Sequence, residues 1–128
     1  MKKTEYRLTQ QVKIHGWSCK LNAESLERLL QSVGLAGEVE DAAVIPVPES
    51  DMMLVKNLDI FTPIIDDPKI QGEIAACNVT NDIFAMNVPV ISGMLIFMAI
   101  DTKAPDYISK GILKGIKYFM EEKIDSKV

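Results

Sequence analysis

The chain has 128 residues, a length typical of one domain with a single hydrophobic core. Its composition, 48% hydrophobic and 25% charged, is that of an ordinary soluble globular protein. The formal net charge of −4 without a basic cluster argues against nonspecific nucleic-acid binding, and the longest apolar run, residues 88–100, is too short to span a bilayer.

The first predicted element is a helix, preceded by a segment without a clear apolar period. Residues 1–20 contain Gly16 and are predicted to be mostly extended or mobile. Asn22 is a typical N-cap, and Gly34 is a typical helix terminator. Between them, apolar side chains recur at helical spacing on the predicted inward face: Leu26, Leu29, Leu30 and Val33.

Two strands are predicted next, over residues 42–48 and 52–58, joined by a Pro-Glu-Ser-Asp turn. Pro46 indicates an edge or a bulge in the first strand, because proline has no N–H to donate to a ladder. Residues 61–68 then form a predicted rigid loop, since two prolines disfavour helix there.

The second half of the chain predicts two helices and a strand. A long helix is expected from about residue 69 to Met86, with Asn87 as a left-handed terminator. Residues 90–100 predict a buried strand. Pro105 opens the last helix, whose apolar residues share one side: Ile108, Ile112, Leu113, Ile116, Phe119 and Met120. The element order predicts an α+β fold, a mixed sheet of about four strands covered by helices on one face.

One face of the long helix carries two polar side chains within an otherwise apolar or small segment. Asn78 and Asp82 lie one turn apart on this face. An aspartate in the middle of a helix has a poor propensity, and burying an unpaired carboxylate is costly. Asp82 therefore needs a partner, which the sequence leaves open as a lysine, a backbone amide or a metal ion.

Further carboxylates are predicted at the ends of elements: Asp41, Asp59, Asp66 and Asp67. One interpretation is structural, with Asp41 and Asp59 in turns and the Asp-Asp pair capping the long helix. The other is a magnesium site, because carboxylates from separate elements without a histidine pair suit Mg²⁺ better than zinc.

Residues 15–20 (His-Gly-Trp-Ser-Cys-Lys) are a second candidate site. Lys20 can reach a phosphate from a glycine-bearing segment, and Cys19 can act as a nucleophile where its thiolate is favoured. The structural interpretation makes the histidine a surface residue and Trp17 a packing residue. Cys19 and Cys77 form neither a disulfide framework nor a metal-finger spacing, so a reduced cytoplasmic setting is expected.

Five motifs in chain order resemble those of selenophosphate synthetase (selenide, water dikinase), a family related to aminoimidazole ribonucleotide synthetase. They are residues 7–10 (Arg-Leu-Thr-Gln), 16–20 (Gly-Trp-Ser-Cys-Lys), 40–44 (Glu-Asp-Ala-Ala-Val), 58–68 (Leu-Asp-Ile-Phe-Thr-Pro-Ile-Ile-Asp-Asp-Pro) and 74–86 (Ile-Ala-Ala-Cys-Asn-Val-Thr-Asn-Asp-Ile-Phe-Ala-Met). The resemblance implies an ATP-dependent enzyme that makes selenophosphate from selenide and releases AMP and phosphate. It also implies a homodimer in which the sheets of two N-terminal domains pair into a barrel.

The resemblance also implies a role for each matching residue. The magnesium ligands would be Asp41 and Asp82. The residues that contact ATP and its phosphates would be Lys20, Asp59 and Asn78.

Trp17 departs from the family pattern, since it occupies the position of a cysteine or selenocysteine that handles selenium. An indole cannot perform this chemistry, although Cys19 and Lys20 of the same catalytic loop match the family. Two explanations remain open: a paralogue that no longer uses selenide, or a selenocysteine codon, UGA, read or replaced as tryptophan.

The family continues into a second domain beyond the residues matched here. We therefore expect an N-terminal domain, either excised or naturally short, with residues 1–20 as a flexible catalytic-loop segment and residues 21–128 as an ATP- and magnesium-binding domain. Alone, it would bind magnesium-nucleotide weakly at most and would not turn over selenide. The alternatives are a non-catalytic dimerising or nucleotide-binding module, or another enzyme of the superfamily that acts on a purine or thiamine precursor.

Overall fold

The structure, a computed structural model, describes residues 6–35 and 40–124. Its main elements, in chain order, are α1 (Ala23–Ser32), β1 (Ala43–Pro46), β2 (Met53–Lys56), α2 (Pro68–Ala85) and α3 (Asp106–Lys123). The α+β class is confirmed. Within the described ranges the sheet has two strands, so the predicted mixed sheet of about four strands is not present there. No helix in these ranges combines the length and the apolar character that a membrane crossing requires.

The hairpin formed by β1 and β2 lies within the two predicted strand ranges. Its strands pair antiparallel, with Ala43 opposite Lys56 and Pro46 opposite Met53. Pro46 therefore lies at the end of its strand, where the missing N–H costs least. The turn is closed by the N–H of Val47, which donates to the carbonyl of Met52 at 3.1 Å.

The two ends of α1 agree with the prediction, but its environment does not. The side chain of Asn22 accepts a hydrogen bond from the N–H of Ser25 at 2.8 Å, and Gly34 has a left-handed φ of 74°. The apolar stripe that was predicted to face inward is exposed: Leu26 is 42% exposed, Leu29 54% and Val33 63%. The expected burial of this stripe is therefore wrong, although Leu26 and Leu30 line the cavity between α1 and the hairpin. The extensive contacts between described elements are α2 with α3 and β1 with β2.

The long helix α2 begins and ends as predicted to within a residue. The carboxylate of Asp67 accepts hydrogen bonds from the N–H groups of Lys69 and Ile70 at 2.8 and 3.0 Å. Pro68 occupies the first turn, where a missing N–H is tolerated. Asn87 has a left-handed φ of 59° just beyond the helix. The capping interpretation is confirmed for Asp67.

Glycines allow α2 and α3 to pack backbone against backbone. A Cβ atom at Gly72 would lie 2.1 Å from the carbonyl oxygen of Ile112, and one at Gly115 would lie 1.9 Å from that of Lys69. Neither position can accept a side chain unless the helices separate. This close approach buries the main core, whose buried members are Ala76, Ile116 and Met120.

Residues 88–104 cross this core without regular secondary structure. Ile91, Met94 and Ile96 pack against the core, whereas Leu95 is 96% exposed and Phe97 is also exposed. The buried strand predicted for residues 90–100 is therefore wrong: no strand is assigned there, and the side chains of this segment alternate between core and solvent. In the described part of the chain no neighbouring strand covers the outer side of this segment.

The N-terminal segment is attached to the loop that precedes α2. It contains two short 3-10 helices, Leu8–Gln11 and Trp17–Cys19, where mostly extended chain was expected. The carboxylate of Asp66 accepts hydrogen bonds from the backbone N–H and the hydroxyl of Thr9 and pairs with Arg7 at 2.7 Å. Residues 1–5 of the predicted catalytic-loop segment lie outside the described residues.

Candidate functional site

Two amide–carboxylate pairs connect the chain after β2 to one face of α2. Asn57 and Asp59 are two residues apart just after β2 and both contact α2, where Asn78 and Asp82 share a helix face. The amide of Asn57 donates to Asp82 Oδ2 at 2.6 Å, and the amide of Asn78 donates to Asp59 Oδ2. The direction of the hydrogen bond differs between the pairs: α2 supplies the acceptor, Asp82, in one pair and the donor, Asn78, in the other.

The carboxylate of Asp59 is the centre of a cluster drawn from three segments of the chain. Lys20 Nζ pairs with its Oδ1, while Trp17 Nε1 donates to Oδ2 at 3.0 Å and Asn78 donates to the same oxygen. These four residues are called the Asp59 cluster below. The Asp59 side chain is only 5% exposed, so its charge is compensated by one ammonium and two neutral donors.

Trp17 also has an apolar contact within this cluster. Its ring stacks on Phe61 with centroids 4.6 Å apart and an interplanar angle of 23°. Such a stacked pair adds roughly 0.5–1.5 kcal/mol beyond the area it buries. Trp17 thus packs on Phe61 although its side chain is partly exposed, and its N–H donates to the Asp59 carboxylate without cancelling the charge.

Gly16 sets the position of the loop that carries Trp17 and Lys20. Its N–H donates to the carbonyl of Thr62 at 3.1 Å, and the N–H of Thr62 donates back to the carbonyl of Gly16 at 3.4 Å. Gly16 has a φ of 59°, and a Cβ atom there would lie 2.7 Å from Ile64 Cγ2. Both observations require glycine at this position.

Asp41 is exposed and precedes β1, whereas Asp82 lies on α2, and no hydrogen bond within the described ranges joins the two residues. The amide nitrogen of Asn57 donates to Asp82 Oδ2 and also to the carbonyl of Val79 at 3.0 Å. Asn57 and the exposed Asp41 line a cavity of about 890 Å³ between α1 and the hairpin. Asn57 is thus the residue that joins Asp82 to the cavity on which Asp41 lies.

The donor set around Asp82 fits magnesium chemically. Within residues 6–35 and 40–124, no three His, Cys, Asp or Glu side chains cluster as metal ligands would. Magnesium does not need such a cage, because it is usually held by one or two carboxylates together with water and phosphate oxygens. Asp82, which is half-buried with a neutral hydrogen-bond partner, and the exposed Asp41 supply hard oxygen donors of this type.

A second cavity, of about 390 Å³, lies beneath the N-terminal segment. It is lined mostly by apolar residues, with Asp59 and Cys19 among its polar members. This volume is within the range of small-molecule pockets. Both Cys19 and Cys77 are free thiols, the first exposed and the second half-buried.

The sequence interpretation missed one polar residue of the site, Asn57, and did not find the partners of another, Asp66. The sequence contains only a weak indication that Asn57 belongs to the site: it precedes Asp59 by two residues, a spacing at which side chains of a strand point the same way. Asp66 was treated as a helix cap together with its neighbour, but it binds Thr9 and Arg7 instead. The N–H and hydroxyl of Thr9, more than the guanidinium, lower the pKa of Asp66 to about 2.

The sequence of this chain is similar to those of known proteins over most of its length. Residues 39–123 match the family model of AIR synthase related protein, N-terminal domain. The chain is 40% identical over 126 residues to a selenide, water dikinase of Methanocaldococcus jannaschii, covering 91% of this chain and 36% of the relative.

Two further relatives carry the same name. The protein of Methanococcus maripaludis is 40% identical over 119 residues, covering 87% of this chain and 35% of the relative. That of Leishmania major is 31% identical over 124 residues, covering 87% and 31%. The chain thus spans about a third of the length of the curated relatives it matches.

Proposed function

Because this chain belongs to the AIR synthase related protein N-terminal domain family, we propose that it is the ATP- and magnesium-binding domain of a selenide, water dikinase. The whole protein would transfer phosphoryl groups from ATP to make selenophosphate from selenide, releasing AMP and phosphate. The observation that carries the proposal is the Asp59 cluster, in which Lys20, Asp59 and Asn78 meet from three distant segments.

Lys20 is the residue that would contact the phosphates most directly. Its ammonium has three N–H donors, and its half-exposed side chain leaves donors available besides the one directed at Asp59. Asp59 is an anion and would repel a phosphate, so its part is to orient Lys20 and Asn78 towards the nucleotide. An ammonium held in this way stabilises negative charge as it develops on the transferred group.

Asp41 and Asp82 would hold magnesium through carboxylate oxygens. When bound, the ion would supply positive charge that offsets the negative charge of the phosphates. In the absence of phosphate, two carboxylates bind Mg²⁺ weakly, because water fills the rest of its shell. Binding of metal and nucleotide is therefore expected to be cooperative.

Trp17 restricts what this chain can do with selenium. The indole occupies the family position of the selenium-handling cysteine or selenocysteine, and its N–H is bonded to Asp59. Cys19 is the thiol that remains in the loop, and it is exposed. We therefore expect nucleotide binding without selenide-dependent release of AMP by this chain alone.

Isothermal titration calorimetry with ATP and Mg²⁺ tests the proposal. Asp82→Ala should abolish metal-dependent binding. Lys20→Ala should weaken it about tenfold or more, since a hydrogen bond to a charged group contributes about 1.5–3 kcal/mol. Lys110→Ala, which removes an exposed ammonium from α3, is the matched control and should bind like the parent. Unchanged binding by Asp82→Ala would refute the proposed site.

A second candidate is a non-catalytic module that dimerises. The exposed apolar side chains of the hairpin (Val44, Ile45, Met53 and Leu54) favour it, together with the outer side of residues 88–100. An apolar surface of this kind is typical of an interface, and two copies would cover it by pairing their sheets. A homodimer is also part of the first proposal, so dimerisation alone does not distinguish the two candidate functions. The titrations with ATP and Mg²⁺ distinguish them. Dimerisation without any binding of ATP would favour the module.

A further inference from the structure

We propose that Asn57 is a positioning residue for Asp82: its amide fixes one carboxylate oxygen and leaves the other, Oδ1, to bind a divalent cation. This inference rests on the proposed function, because it presupposes a cation at Asp82. It adds a residue that neither the motifs nor the resemblance singled out.

Asn57 is held at two points on α2. Its amide nitrogen donates one hydrogen to Asp82 Oδ2 at 2.6 Å and the other to the carbonyl of Val79 at 3.0 Å. Two hydrogen bonds from one nitrogen fix the plane of the amide. The acceptor on Asp82 is thereby fixed as well, so the carboxylate cannot rotate freely about its χ2 bond.

The charge balance distinguishes Asp82 from Asp59. The carboxylate of Asp59 already has an ammonium partner in Lys20. Among the described residues, Asp82 forms no ion pair, and its side-chain partner is the neutral amide of Asn57. A neutral donor orients a carboxylate without cancelling its charge, so Asp82 keeps a full negative charge for a cation.

The location of Asn57 also fits this role. It is half-buried and lines the cavity between α1 and the hairpin, on which Asp41 lies. Partners of this kind, which orient a ligand without touching the metal, typically affect metal affinity by 10–100-fold. Asn57 would therefore influence the metal through Asp82 alone.

Binding of Mn²⁺, followed by the electron paramagnetic resonance of the free ion, provides the test. Asn57→Ala should raise the Mn²⁺ dissociation constant by about 10–100-fold. Thermal unfolding in EDTA should show only a modest loss of stability, because the half-exposed surroundings allow water to replace the lost donor. Asn57→Leu, which keeps the branched shape of the side chain but lacks the amide, should give the same loss of affinity and guards against a folding failure of the alanine variant.

Asn22→Ala is the matched control, since it also removes one asparagine hydrogen bond, at the start of α1. It should lower the unfolding temperature without changing Mn²⁺ affinity. Parent affinity in both Asn57 variants would overturn the inference, even where their stability is reduced.

Asp82→Asn separates the inference from the proposed function. Loss of Mn²⁺ binding in this variant together with normal binding in the Asn57 variants would leave the metal site standing and overturn the positioning role. Normal binding by Asp82→Asn, or no Mn²⁺ binding by the parent chain even at Mn²⁺ concentrations that would reveal the weak binding expected of two carboxylates, would overturn the metal site and the inference with it.

Discussion

The half of the molecule built from α2 and α3 buries its apolar side chains, whereas the half built from α1 and the hairpin leaves them exposed. Ile108 and Met120 on α3 have no exposed surface. Leu29 on α1 and Leu54 on β2 are both about half exposed. Both halves have apolar residues at regular spacing, so hydrophobicity alone does not account for the difference.

Small residues at the crossing of α2 and α3 account for it. Gly72 and Gly115 bring the helix backbones into contact, and Ala76 lies in the core they form. No comparable close approach connects α1 to the hairpin, where a wide cavity separates them. Apolar residues at helical spacing thus indicate that one face of a helix is suited to burial. Small residues on that face indicate that another helix of the same chain can pack closely against it.

Gly115→Ala should have the largest effect on the packed half. Alanine is favoured over glycine in a helix by about 1 kcal/mol, so helix propensity alone predicts stabilisation. The added Cβ would lie 1.9 Å from the carbonyl oxygen of Lys69, which is backbone and cannot move aside as a side chain can. We expect the overlap to dominate and to lower the free energy of unfolding by about 3 kcal/mol, measured by urea denaturation.

Gly93→Ala is the matched control for this substitution. No atom lies within 4 Å of the Cβ position at Gly93, and its φ is not left-handed. The control should be neutral or slightly stabilising, because alanine restricts the unfolded chain. A stabilising Gly115→Ala would mean that α2 and α3 are farther apart than in this structure.

Met120→Ala and Leu29→Ala compare the two halves directly. Met120 is fully buried, so its truncation should cost about 2 kcal/mol or more. Leu29 lies on the exposed stripe of α1, so its truncation should change stability by less than about 0.5 kcal/mol. Both are measured by urea denaturation at low protein concentration. Equal losses would show that the α1 stripe is already covered, as it would be in an assembly.

Local signals in the sequence predicted much of this fold. Asn22 and Asp67 were predictable as caps because an oxygen acceptor before a helix satisfies its free N–H groups. Asn87 was predictable as a left-handed terminator. The strand predicted at residues 90–100 failed, because an apolar run does not show whether a neighbouring strand is present to pair with it.

The candidate site was predictable in part. The motifs singled out Lys20, Asp59 and Asn78, and the structure brings these residues together. That Trp17 donates to Asp59 depends on the path of the loop after Gly16, which no local pattern encodes. The attachment of Asp66 to Thr9 was likewise not predictable, since the two residues are far apart in the sequence and their motifs do not indicate that the two segments meet.

The attachment of Asp66 to Thr9 is expected to make the smallest contribution to stability, and this contribution depends on pH. The hydrogen bonds from Thr9 hold the pKa of Asp66 at about 2, below its ordinary value of 3.8. A carboxyl group whose pKa is lowered in the folded state stabilises that state fully above its ordinary pKa. The stabilisation is lost as the pH falls from about 4 towards 2, because the unfolded chain takes up the proton first.

Asp66→Asn should therefore be slightly less stable than the parent near neutral pH, and the difference should shrink below about pH 4. Urea denaturation at several pH values measures it. Asp51→Asn, which removes an exposed carboxylate from the hairpin turn, should show no such difference at any pH. A constant gap between parent and Asp66→Asn down to about pH 3 would mean that the stabilisation does not come from the charge. The contribution of Asp66 would then come from the geometry of its hydrogen bonds with Thr9.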